Sequence, residues 1–326
     1  MNYKIIDMHC HVAGIGAGGS GCYISPGLRD NFRYGFYLRA FGVSGKELEK
    51  HGDALVFEKL AAKLEASSLV DAAVILALDG VIGEKGALDY QKTEIYIPNE
   101  FVAEQTARFD NLLFGASINP YRPEALAQLE WAAEQGAVLI KWLPSIQHID
   151  PADERIIPFY RKLKELGLPL LTHTGHEHSF TRVCQEFADP KRLVLPLEEG
   201  VTVIAAHAGA TGMNEGEDNM ERLLVMFDVY PDLYADISSL TQLNKVGALA
   251  TLLKHGDVHG RLLYGSDMPL INTLLVSPWY FPFSLSPARI FQLSRIANPW
   301  DRDVRLKQAL GVPEDVFSRA AGILIL

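Results

Sequence analysis

Eight times along this chain a short apolar run gives way to a stretch with helical periodicity. That alternation restricts the fold more than any other feature, because strands joined by helices build a parallel sheet covered by its own crossovers. Strands are predicted at Lys4–His9, Asp71–Leu78, Leu112–Ile118, Ala137–Leu143, Leu168–His173, Val201–His207, Leu233–Ile237 and Arg261–Ser266. Helical patterns such as Pro123–Gln135, Glu154–Leu166 and Met220–Tyr230 lie between them, and Gly136 and Gly167 stop two of these. Eight such units close into an α/β fold, a (β/α)8 TIM barrel. The 326 residues suffice for one domain spanning 1–326, since a barrel needs roughly 250. Three segments are too long for turns: Val12–Gly52, Asp79–Ile97 and Asn272–Asp301. Long loops in compact domains usually carry function. Residues 12–52, glycine-rich and then aromatic (Tyr23, Phe32, Tyr34, Phe36, Tyr37, Phe41), read as an insertion covering the active site at the barrel's C-terminal face. The third, with Trp279, Tyr280, Phe281 and Phe283, reads as a second lid or an oligomer contact.

Composition narrows the partners. Forty acidic against thirty basic residues leave a formal charge of −10, and no run of lysine or arginine offers a nucleic-acid surface. Cys10, Cys22 and Cys184 are odd in number and form no CxxC pair, so neither a disulfide framework nor a thiolate zinc site is expected, and a reducing cytoplasm fits. The chain enters its first strand at once and holds no apolar run long enough to span a bilayer. A soluble, cytoplasmic protein acting on a small molecule, with a homodimer as the default assembly, is the expectation.

The chemistry gathers at strand ends. His9 and His11 close the first strand at i and i+2, positions that share a face, and two imidazoles at that spacing make half of a divalent-metal site. His173 closes the fifth strand, His207 the sixth, and Asp267 follows the eighth. In a closed parallel barrel these ends converge on one rim, where active sites of this fold sit. Asp7 shares parity with His9 and His11 and is expected to hydrogen-bond a ligand from below.

Taken together, Ile6-Asp7-Met8-His9-Cys10-His11, Thr172-His173-Thr174-Gly175, Ala206-His207-Ala208-Gly209 and Gly265-Ser266-Asp267-Met268-Pro269 resemble the amidohydrolase superfamily over nearly the whole chain. The branch is similar to the amidohydrolase-2 group of hydrolases, decarboxylases and hydratases related to aminocarboxymuconate semialdehyde decarboxylase. The resemblance implies that His9, His11, His173 and Asp267 ligate one divalent metal, usually zinc, with manganese or iron as substitutes. It implies that His207 is a base or polarises the substrate; on physical grounds Asp267, besides ligating, could take a proton from the attacking water and return it to the leaving group. One departure is the C-terminus, Ala320 to Leu326, which lacks the Asn-Ala pair found near the end of many relatives.

Lys141 ends the fourth strand. In binuclear members a carboxylated lysine there bridges two metals, whereas with one metal it serves substrate or support. His176 and Glu177, just past the fifth strand, and Arg122, after Asn119-Pro120-Tyr121, are candidate substrate contacts. Arg29, Arg33 and Arg39 are weaker ones, and Trp142 is a candidate pocket wall. His51, His148, His255 and His259 are assigned no role. The reading is a metal-dependent hydrolase using metal-activated water on a small ester, lactone or amide. Non-oxidative decarboxylation or hydration of an aromatic or unsaturated acid is the alternative on the same site, and a non-catalytic metal-binding scaffold is a distant third.

Overall fold

A computed structural model describes residues 3–326, excluding the side chains of residues 32 and 33. All eight expected strands form, at Ile6–His11, Ala72–Leu76, Leu112–Ala116, Leu139–Trp142, Leu170–His173, Val203–Ala206, Leu233–Asp236 and Leu262–Leu263. They lie in chain order in one parallel sheet. The sheet curls until its edges meet: Met8 N–H donates to Tyr264 O (3.3 Å), Asp267 N–H to His9 O and His11 N–H to Met268 O (both 2.9 Å). These contacts form the seam of the barrel.

Strand alternation sorts the apolar residues into two layers. Ile6, Met8, Val74, Leu171, Ile204 and Leu263 fill the interior, and Ala320 and Leu324 pack against that cluster. Ile75, Ile140, Leu170, Val203 and Tyr264 face the surrounding helices. Each buried aliphatic side chain contributes about 1.5–3 kcal/mol, so two layers of them hold the rim rigid. Trp142 belongs to the outer layer. It stacks on Phe159 with ring centroids 5.3 Å apart and is fully buried, so it is no pocket wall.

Helices form where the sequence places them, with shifted ends. Ala125–Glu134 is shorter than its periodicity suggests, and a 3₁₀ turn over Glu154–Ile156 leads into Ile157–Leu166, which ends at left-handed Gly167. The predicted Met220–Tyr230 helix stops at Leu224. Beyond it Met226 and Phe227 bond back three residues, and this tighter winding turns both side chains into the core.

The long segments are structured. Residues 12–52 hold helices Phe32–Phe41 and Gly45–His51, the latter opened by a Ser44/Glu47 capping box. The glycine-rich tract is pinned by Asp53, which accepts hydrogen bonds from the backbone of Ile15, Gly16 and Ala17 and from Ser20 Oγ. An antiparallel ribbon joins Tyr23–Ile24 to Ile95–Tyr96, tying the first long segment to the second. In the third, Trp279 and Phe283 lie exposed at the surface. No helix among the described residues is long and apolar enough to cross a membrane.

Candidate metal-dependent active site

The first strand reaches the rim through an irregularity. Its register with the second strand slips between Asp7 and Cys10, and such a bulge re-aims the side chains that follow. Met8 packs in the interior, Cys10 packs with the helix-facing layer, and His9 and His11 meet the other candidate donors at the mouth. The slip also breaks the parity expected between Asp7 and the histidines. Asp7 is fully buried against an outer helix, where its carboxylate accepts from Trp300 Nε1 (2.7 Å), Ser266 Oγ (2.5 Å), Ser266 N–H (2.8 Å) and His9 N–H (3.1 Å). It therefore fastens the backbone carrying His9 to the backbone leading to Asp267, and bonds no imidazole. Burial pushes its carboxyl up to about 6, against those four hydrogen bonds.

The predicted donors converge. His9 Nε2 and His11 Nε2 are 3.2 Å apart, His11 Nε2 is 3.3 Å from Asp267 Oδ1, and His9 Nε2 is 3.8 Å from the same oxygen. Donors about 2.0–2.1 Å from one tetrahedral ion stand roughly 3.3 Å from each other, so this trio fits an ion. His9, His207 and Asp267 also place one donor atom each within 4.8 Å of one another, so His207 stands closer to the donors than a purely catalytic residue requires. His173 joins through its ring, 5.0 Å from that of His207, and its buried Nε2 has no hydrogen-bond partner. That nitrogen lies 3.7 Å from Glu177 Oε2, and His173 falls outside the tight group formed by His9, His207 and Asp267.

Hydrogen bonds fix the tautomers. Asp236, at the end of the seventh strand, accepts from His9 Nδ1 at 2.7 Å, leaving the Nε2 lone pair facing the other donors. The Ser238 hydroxyl donates to the other oxygen of Asp236, so Ser238 Oγ (2.7 Å) and Ser238 O (3.2 Å) act as acceptors toward His207 Nδ1. His207 thus carries its proton on Nδ1 and turns an unprotonated Nε2 to the mouth. Burial keeps these rings neutral: it lowers His9 and His173 to about 4 and holds His207 well below the usual imidazole range. Asp267 remains an anion. Burial alone would raise its carboxyl, but the His11 hydrogen bond and nearby His9 and Lys245 outweigh that and hold it below the ordinary range.

Asp236 escaped the sequence reading, although strand alternation from Leu233 places it on the inner face at the same rim. Lys245 was missed for another reason: it lies in an irregular segment with no periodicity. Its Nζ donates to Ser239 Oγ at 2.5 Å, and Ser239 Oγ is 3.0 Å from His207 Nδ1. Lys141 is fully buried with Nζ 3.0 Å from His9 Nε2, and burial lowers it to about 8 against the pull of Asp236, Asp267 and Glu177. Backbone strain collects here too. His207, Ala208, Ser239 and Asp267 all have positive φ, between 48° and 63°, a conformation that costs a non-glycine residue of order 1–3 kcal/mol and gathers at functional sites.

Above the donors lies a cavity of about 150 Å³ bounded by His11, His173, His207 and Asp267 on one side. Leu28, Tyr34, Tyr37 and Phe41 from residues 12–52 contribute much of the opposite wall. Glu177 enters it: its Oε1 accepts from Ser179 N–H, its backbone is held by Gln185, and its Oε2 is 3.7 Å from His173 Nε2. His176 is half-buried and lines neither this cavity nor the outer cleft beside it, whereas exposed His178 and Arg39 line that cleft.

Arg122 does not reach the mouth. Its fork is occupied by Asp79, with Nε donating to Oδ2 at 2.7 Å and a terminal nitrogen to Oδ1 at 2.6 Å, and this neighbour raises its already high pKa. Arg29 pairs with Glu49, and the Arg33 side chain lies outside the described residues. Removing one partner of a buried pair leaves the other uncompensated, at about 3–5 kcal/mol. Arg122→Ala is therefore expected to lower stability by about 3 kcal/mol in denaturant titration, with KM within twofold of wild type. A large rise in KM at unchanged stability would return Arg122 to the substrate.

A family model described as Amidohydrolase, that of the amidohydrolase-2 family, matches residues 6–279. Curated proteins yield no match. Among solved structures, the chain is similar to an uncharacterized TIM-barrel protein from Bordetella bronchiseptica (TM-score 0.57, 16% identity, covering 94% of this chain and 99% of that one). It is similar to a putative 2-pyrone-4,6-dicarboxylic acid hydrolase from Pseudomonas putida (0.55, 15%, 100% and 96%) and to 5-carboxyvanillate decarboxylase from Sphingomonas paucimobilis (0.53, 11%, 98% and 97%). At these identities the structures speak for the fold alone, while the family match covers most of the sequence. The chain is an enzyme belonging to the amidohydrolase-2 family.

Proposed function

We propose that this enzyme hydrolyses a small ester, lactone or amide with one divalent ion held by His9, His11, His173 and Asp267. The observation that carries the reading is the donor set: two lone pairs from the first strand, a carboxylate across the seam, and the orphaned Nε2 of His173. Nitrogen and carboxylate donors suit zinc, with manganese or iron as substitutes. Bound there, the ion supplies a Lewis acid for the scissile carbonyl and lowers the pKa of water to about 7.

The remaining work falls to the chain. Asp267 points Oδ1 at His11 and His9, while its Oδ2 stands 4.0 Å from His207 Nε2. A water oxygen about 2.8 Å from each would be gripped by both acceptors. Asp267 then takes one proton and passes it to the leaving group, and neutral His207 orients the other as a base. Residues 12–52 cover the reacting atoms from bulk solvent. No arginine or lysine stands among the described residues lining the inner cavity, which supports hydrolysis over decarboxylation of an acid needing a bidentate clamp. The free cysteines support a cytoplasmic location, and exposed Leu274, Trp279 and Phe283 support a homodimer contact in the third long segment.

Elemental analysis of protein purified without chelator, together with a panel of simple esters, lactones and amides, tests the proposal. About one metal per chain and hydrolysis lost on chelation are expected. About two per chain would make a carboxylated Lys141 the bridge of a binuclear site, and no metal after resupply of zinc, manganese and iron would sink the reading.

A further inference from the structure

The inner cavity has a chemical character that the ligand set does not dictate. Away from the donors its wall is apolar: Leu28, Phe41, Leu78, Ile95, Leu143 and Phe180. Tyr34 adds a ring, with its hydroxyl spent on Gly14 O at 3.1 Å. Among the described lining residues there is no cation, and the two acids present, Asp267 and Glu177, are both nearly buried. Lys141 and Lys245 bond His9 and Ser239 beneath the mouth and do not line the cavity, and Arg122 is held by Asp79. The volume, about 150 Å³, matches that of an apolar cavity known to hold a benzene molecule.

We propose that the group seated in this cavity is uncharged, apolar and about the size of one six-membered ring, and that Glu177 helps turn away substrates bearing a carboxylate there. This names the substrate class of the hydrolytic reading above and rests on it. A carboxylate carried into this wall meets no donor fork, loses its water and faces Glu177, whose position is fixed by the Ser179 and Gln185 bonds. An unpaired buried charge is expensive, so discrimination of about 100-fold or more follows. A neutral ring instead gains from leaving water.

The test uses the full-length, metal-loaded enzyme and two matched probe pairs. Methyl benzoate and monomethyl terephthalate differ only by a carboxylate on the ring, and their kcat/KM values report turnover. Benzohydroxamate and its 4-carboxy analogue report binding by calorimetry without chemistry. The neutral member of each pair is expected to lead by about 100-fold. Equal or better performance by the carboxylated members overturns the inference while leaving hydrolysis standing. Preferential binding of the neutral hydroxamate with no ester turned over would keep the inference and defeat the hydrolytic reading. Glu177→Gln is expected to shrink the preference about tenfold, and an unchanged preference removes Glu177 from the selection. Leu78→Arg, checked by its melting curve, puts a cation in the wall and should move the preference toward the carboxylated probe; a folded variant with wild-type preference counts against the proposal.

Discussion

Replacing His207 with asparagine should leave the ion bound and lower kcat by about 10²–10⁴-fold, the range that a positioned acid or base contributes. The side chain meets the mouth through Nε2, while its Nδ1 is anchored on Ser238 and Ser239. Asparagine keeps a polar group of similar reach but offers no basic nitrogen. The variant should therefore hold the same metal per chain and a similar KM while turnover collapses. Loss of the metal along with activity would move His207 into the ligand set, as its distance from His9 and Asp267 permits. Full activity would remove it from the chemistry. A wild type inert toward every substrate, with its metal in place, would favour a scaffold.

The second large effect concerns Asp236, which touches no expected substrate. It accepts from His9 Nδ1, from the backbone N–H of His207 at 2.8 Å and from that of Ser238 at 3.0 Å, so one carboxylate holds the His9 imidazole and the backbone that carries His207. Burial alone would raise its carboxyl, and the paired His9 and His207 with the Ser238 hydroxyl hold it below the ordinary range instead. Asp236→Ala should weaken metal affinity by about 10–100-fold, the usual cost of losing a partner that orients a ligating histidine. Competition with a chromophoric chelator reads that loss directly. Asp236→Asn can still accept from His9 and should recover part of the affinity, a recovery that a merely space-filling role does not predict.

Much of this molecule is legible in its sequence. Strand alternation marks eight runs; seven observed strands lie inside theirs, and the first, Ile6–His11, starts within its run and extends two residues beyond it. His9, His11, His173, His207 and Asp267 were visible because each sits at a strand end, and the topology of a parallel barrel does the rest. What escaped did so for identifiable reasons. The slip between Asp7 and Cys10 is a backbone event with no compositional mark, so the face of Asp7 could not be deduced by counting alternate residues. Arg122 looked available because Asp79, its partner, lies forty-three residues away on another loop. Lys245 depends on irregular backbone, where periodicity carries no information, whereas Glu177, a candidate substrate contact from the sequence, does line the cavity. Asp236 was different, because alternation along its own strand already pointed it at the rim.

The barrel's seam has a consequence for how the protein comes apart. His9 and His11 stand on one side of it and Asp267 on the other, more than three quarters of the chain away. An ion gripping both sides would act as a cross-link closing a loop over most of the polypeptide, and a long closed loop is where such a link restrains the unfolded chain most. Loading the metal should then protect backbone amides at the first and last strands far more than those on the opposite side of the barrel, and an ion seated there would serve as the clasp that keeps the cylinder shut.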